Sequence, residues 1–170
     1  LNNLNETFIN IGDRYLIGFM ISATAVGIYT PAYALACLPV IIARTLSGVL
    51  PPLLSKLQDN KNFQLRDRIL TICGKYYLYI SLIYSGVAIL LGKDILSFYI
   101  NNEFAISSVG VFIVVSFSAL FAGLNLLLSN IFIVLLKTKF MLQTNIISFF
   151  VNLTLNLILL YITRDIFMAA

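Results

Sequence analysis

Histidine is absent from all 170 residues, which removes the commonest general base and the commonest metal ligand together. Acidic residues number only seven, and no two of them are separated by a single residue, as a metal–diphosphate clamp would require. Ser22, Ser47 and the other serines have no base at a recognisable spacing, so nucleophilic catalysis has no candidate. Gly12, Gly18 and Gly27 are scattered in or beside apolar stretches and make no phosphate-cradling loop, which argues against ATP hydrolysis by this segment. Cys37 and Cys73 are the two cysteines. Both fall in apolar helical stretches and read as small buried residues, not as a disulfide or a metal site. No catalytic residue, metal or cofactor is therefore expected. Charged residues make up 11% of the chain, against about 25% in soluble proteins. A net charge of +4 with no basic stripe on any helix does not indicate nucleic acid.

What fills the chain is apolar sequence: 60% hydrophobic residues and a mean hydropathy of +0.97. A hydrocarbon layer ~30 Å thick is crossed by about 20 apolar residues in a helix. On that measure the chain reads as an all-α integral membrane protein, with five transmembrane helices and the start of a sixth, in one membrane domain over residues 1–170. The expected spans are Phe8 to Ile28, Thr30 to Leu54, Ile69 to Leu91, Ile106 to Leu136 and Phe140 to Ile162. A short interfacial helix from Asp94 to Ile100 is expected between the third and fourth. No charged, apolar and small-residue series at the start marks a removable signal peptide. The chain opens on Leu1 and stops at Met168-Ala169-Ala170 as another apolar segment begins, so a fragment of a larger protein is expected.

Basic residues crowd every second connection. Lys56, Lys61, Arg66 and Arg68 separate the second and third spans, and Lys137 and Lys139 the fourth and fifth. The opposite side holds only Lys93 and Arg164. Positive charge resists translocation, which makes the side with six basic residues cytoplasmic and the first span outward-running. The protein is thus expected to be a multi-pass protein of the cell (cytoplasmic or inner) membrane.

Polar residues recur inside the spans at helical spacing. Asp13 and Arg14 sit in the first, where a central charge costs about 2.5–3.5 kcal/mol on insertion scales. Glu6, Asn10 and Asp13 share a face, as do Thr7, Asn10 and Arg14. The second span carries Tyr33, Cys37, Arg44 and Ser47. Lys75 enters the third beside Tyr76, Tyr77 and Tyr79, a grouping that reads as an interfacial anchor. Ser118, Ala122, Asn125 and Ser129 align on the fourth, and Asn145, Ser148, Asn152 and Asn156 on the fifth. Such stripes have two readings: glue between helices, or the lining of a polar chamber. Asp13 and Arg14 may be read as an ion pair, but neighbours in sequence do not face each other on a helix, so each calls for its own partner or water.

Two stretches resemble a known family. Asp13-Arg14-Tyr15-Leu16-Ile17-Gly18, running into Ala25-Val26-Gly27-Ile28-Tyr29-Thr30-Pro31-Ala32-Tyr33-Ala34-Leu35 and on to Leu50-Pro51-Pro52-Leu53-Leu54-Ser55-Lys56-Leu57, is similar to helices seven and eight of polysaccharide (O-antigen type) flippases. These belong to the multidrug/oligosaccharidyl-lipid/polysaccharide exporter superfamily. Leu136-Lys137-Thr138-Lys139 with Asn145, Asn152-Leu153 and Asn156-Leu157 resembles the turn into helix eleven and helix eleven itself. Arg164 to Ala170 departs from the family, lacking the glycines usual there.

The resemblance implies helices seven to eleven and the start of helix twelve, that is, the C-terminal lobe of a two-lobed transporter whose N-terminal lobe is the partner. It implies flipping of a polyprenyl-diphosphate-linked oligosaccharide for O-antigen, capsule or exopolysaccharide synthesis, with membrane lipids around it and no nucleic acid. Arg14 and Arg44 would then attract the diphosphate, Asn125, Asn145, Asn152 and Asn156 would meet sugar hydroxyls, and Asp13 would hold a coupling proton or sodium ion. Other readings stay open: a drug or peptidoglycan-precursor exporter of the same superfamily, a membrane-embedded glycan-processing enzyme, or an assembly subunit.

Overall fold

The computed structural model describes residues 14, 15, 17–19 and 21–163, with the backbone alone at 138, 149, 152, 153 and 155–163, Asn152 and Asn156 among them. Expectations placed on Glu6, Asn10, Asp13 and the segment 164–170 lie outside the described residues. Residues 14, 15 and 17–19 are helical, and five helices follow: α1 (Ala23–Ala36), α2 (Leu38–Asp59), α3 (Phe63–Tyr99), α4 (Asn102–Val134) and α5 (Thr138–Thr163). Among the described residues, α2, α3 and α4 are long and apolar enough to cross a membrane. Large apolar side chains cover their outer faces, Ile83 and Leu90 of α3 and Phe121 of α4 among them. So much exposed apolar surface fits contact with lipid and not with water. The chain is an α-helical membrane protein.

The expected first span does not continue to Ile28. Ser22 is extended, and its Oγ accepts the Ala25 N–H at 3.1 Å. That cap starts a new helix, so the connection lies at 21–22, before Ala23. Hydropathy passes across this point without a dip, and only the capping chemistry marks it.

The expected second span is likewise divided, at Cys37. Pro39 occupies the second position of α2 and has no N–H, so the Leu35 carbonyl loses the donor that a continuous helix would supply. The Tyr84 hydroxyl of α3 donates to that carbonyl at 2.6 Å. Cys37 N–H to Tyr33 O (3.1 Å) and Val40 N–H to Cys37 O (3.0 Å) carry the chain through the break. Pro31, Pro51 and Pro52, by contrast, stay inside helices.

The third expected span and the separate interfacial helix merge into α3. Nothing between Leu91 and Tyr99 breaks a helix: Lys93 and Asp94 are charged but conformationally ordinary. At 1.5 Å per residue α3 is about 55 Å long, well beyond the ~30 Å hydrocarbon layer. The tyrosine grouping separates accordingly. Tyr76 and Tyr79 are exposed while Tyr77 is 1% exposed, turned into the core, which corrects its reading as an interfacial anchor.

α3 and α4 meet along small residues. Ser81, Ser85, Ala88 and Gly92 of α3 face Ala105, Ser108, Ser116, Ala119 and Gly123 of α4. Small side chains let backbones approach and hydroxyls bridge them. The Ser85 hydroxyl lies 2.9 Å from Ser81 O and 3.2 Å from Ser116 O, and Tyr77 donates to Ala119 O at 2.6 Å. α1 and α2 lie end to end along this pair and divide the core. Tyr29, Ala32 and Ala36 pack with Ala88, Leu96, Ala105 and Phe112. Ala43, Leu50 and Leu54 pack with Tyr77, Leu127 and Val134. α5 packs against α4.

Both basic connections are built alike. Lys61 (φ 55°) and Leu136 (φ 54°) are left-handed. Asn62 N–H bonds Leu57 O at 2.9 Å, and Lys137 N–H bonds Phe132 O at 2.8 Å, the six-to-one bond of a Schellman turn. The shared inner core cluster places the two turns at the same end of the bundle, as the charge count requires.

Two substitutions test this packing. A Cβ at Gly123 would collide with the Tyr77 hydroxyl, so Gly123→Ala should cost about 1–3 kcal/mol and lower the thermal midpoint in detergent. Leu136→Gly should raise that midpoint, because a left-handed non-glycine residue costs about 1–2 kcal/mol. An unchanged midpoint in either variant contradicts the corresponding contact.

Candidate functional site

The break between α1 and α2 opens onto a cleft of about 300 Å³, lined by Arg14, Tyr33, Ala34, Cys37, Val40, Ile41 and Arg44. Tyr33, Cys37 and Arg44 reach it from successive turns on either side of the interruption. Arg14 enters from the preceding helical stretch. Its guanidinium carbon lies 5.5 Å from the centroid of the Tyr33 ring. Tyr33 in turn stacks on buried Tyr29, with centroids 5.5 Å apart and planes 28° from parallel. Arg14 Nε is buried and has no hydrogen-bond partner among the described residues. Cys37 shares this lining with Tyr33 and both arginines.

Among the described residues the lining holds two guanidiniums and no carboxylate. Arg44 lies about 22 Å along α2 from its basic end at 1.5 Å per residue. At that depth its charge is beyond easy snorkelling to the headgroups. A cationic hollow at a helix interruption is suited to binding an anion.

A second, smaller hollow of about 70 Å³ lies between α4 and α5, lined by Asn125, Ser129, Phe132, Phe140, Met141, Thr144 and Asn145. The hydroxyls there turn back on their own helices, Ser129 to Asn125 O at 2.6 Å and Thr144 to Phe140 O at 2.9 Å. The structure therefore brings Arg14 to Arg44 and Asn125 to Asn145, but each pair lines its own hollow. Asn152 and Asn156 follow on α5, their side chains outside the described residues, as Asp13 is altogether.

Ser47, the last member of the polar series on the second span, turns away from the cleft. It receives a 3.0 Å bond from Asn130 Nδ2, which also lies 3.1 Å from Leu127 O. Asn130 is 2% exposed and ties α2 to α4. It escaped the sequence reading because it lies off the Ser118–Asn125–Ser129 face. Its spacing from Leu127 and Val134 puts it on the core face, which is the signal that could have found it.

The fold and cleft define the class: an α-helical membrane protein with an arginine-lined cleft. Residues 1–74 match the model of a family described as polysaccharide biosynthesis protein. No curated protein and no solved structure matches the chain. The matched segment is less than half of the chain, yet it contains every residue that lines the larger cleft and none that lines the smaller. Similarity to a polysaccharide biosynthesis family thus falls on the cationic site, in keeping with a role in polysaccharide synthesis or export.

The field of the cleft can be read with thiol reagents. Cys37 should react faster with an anionic methanethiosulfonate than with a cationic one of equal size, by several-fold after normalisation to Cys73. Equal rates would show that the two guanidiniums set up no effective positive potential.

Proposed function

We propose that the protein flips polyprenyl-diphosphate-linked oligosaccharide repeat units from the cytoplasmic to the outer leaflet, for O-antigen, capsule or exopolysaccharide synthesis. The observation that carries this reading is the Arg14–Arg44 cleft: two guanidiniums, with no carboxylate in the lining among the described residues, at a helix break within the segment similar to a polysaccharide biosynthesis family. Flipping must carry a diphosphate and a glycan through hydrocarbon while the lipid tail stays in it. An inward-facing pair of guanidiniums lowers the barrier for the diphosphate, since Arg pairs with phosphate through two parallel N–H bonds. No bond in the substrate is broken, so the protein acts as a transporter and not as an enzyme. A cationic drug entering the same cleft would meet two like charges.

In this reading the chain is the C-terminal lobe of a two-lobed exporter of the multidrug/oligosaccharidyl-lipid/polysaccharide superfamily, with five spans and the start of a sixth in the cytoplasmic membrane. An N-terminal lobe of the same protein faces it, and the cleft opens to each side in turn. Asn125, Asn145, Asn152 and Asn156 offer sugar hydroxyls both donors and acceptors. Asp13 holds the coupling proton or sodium ion.

Export assays on the full-length protein test the proposal. Arg14→Ala and Arg44→Ala should each lower surface glycan about 10- to 100-fold, the range expected for losing a hydrogen bond to a charged group. Lysine at either position should restore part of it, keeping charge without the planar fork. Wild-type export in both alanine variants, at normal protein levels, would remove the diphosphate role.

A further inference from the structure

We infer that Tyr33 is a positioning residue, whose ring holds the Arg14 guanidinium in the orientation that presents its N–H edge to an anion. This rests on the reading of the cleft as a diphosphate site and adds a residue to it. A cation–π contact uses the flat face of a guanidinium, whereas phosphate recognition uses its rim. The Arg14 guanidinium carbon lies 5.5 Å from the ring centroid, and a contact of this kind consumes none of the N–H donors. The buried Nε, without a hydrogen-bond partner among the described residues, shows that no carboxylate or carbonyl described there already claims it.

Tyr33 is itself held in place: Tyr29 stacks on its ring, with 5.5 Å between the centroids. A long arginine side chain has large rotamer freedom to lose on binding, and a fixed aromatic surface removes much of that loss in advance. Arg44 has no aromatic ring beneath it among the described residues. The two guanidiniums are thus unequal: Arg14 is preset and Arg44 adapts. A purely structural tyrosine would fill the same space, so the test must vary the ring's charge distribution at constant volume.

Full-length protein purified in detergent is titrated with farnesyl diphosphate, with position 33 carrying tyrosine, phenylalanine, or phenylalanine with one, two or three ring fluorines. Tyr33→Phe should bind within about twofold of wild type, and the trifluorinated ring about fivefold more weakly, as the electron-rich face is depleted. The series should be flat in an Arg14→Ala background and keep its slope in Arg44→Ala. A flat series with Arg14 present overturns the inference, as does a loss complete at Tyr33→Phe, which would assign the effect to the hydroxyl. Unchanged affinity in Arg14→Ala overturns the diphosphate reading itself, and so does failure of the wild type to bind farnesyl diphosphate.

Discussion

Hydrocarbon offers a peptide carbonyl no partner, so a helix that breaks inside a membrane must have its freed groups met by its neighbours. Pro39 creates that demand by withdrawing the donor from the Leu35 carbonyl, and the Tyr84 hydroxyl answers it at 2.6 Å. Because the demand is met, α1 and α2 can end and begin against each other at Cys37 instead of forming one rod. The cleft lies at this interruption. Tyr33, Cys37 and Arg44 line it from both sides of the interruption.

The surroundings of the break are correspondingly firm. α3 and α4 approach closely along serines, alanines and glycines, and Gly123 leaves room for the Tyr77 hydroxyl to reach Ala119 O. Ser47 and Asn130 tie α2 to the same pair. These polar groups are glue: apart from the buried Ser81 hydroxyl, which has no partner among the described residues, their hydrogen bonds end on backbone or on each other. The cleft differs: among the described residues its lining holds two guanidiniums and no carboxylate, and Arg14 Nε is left without a described partner. A fully satisfied polar group in a membrane reads as structural. A guanidinium in an apolar stretch is costly to retain, which makes it a candidate for function.

Much of the helical layout was legible in hydropathy and charge. Apolar length located α2, α3 and α4, and the basic residues at Lys56–Arg68 and at Lys137–Lys139 placed two turns at one end. The misread boundaries have local causes. The Ser22 cap, the Pro39 break and the unbroken course of α3 past Lys93 depend on single hydrogen bonds or on the absence of a breaker, and averaged hydropathy senses neither. Tyr77 and Asn130 were misread or missed because one helical turn decides whether a polar group meets lipid, headgroup or core.

The sequence by itself determined that the chain is a membrane-embedded bundle with arginines in apolar stretches and no catalytic histidine, since composition, span length and charge asymmetry are sums over residues. Only the tertiary structure decided that Arg14 and Arg44 share one hollow while Asn125 and Asn145 share another. Helical periodicity assigns residues to faces of one helix. Which faces of different helices meet is set by close packing of small residues and by where a broken helix finds a partner for its free carbonyl.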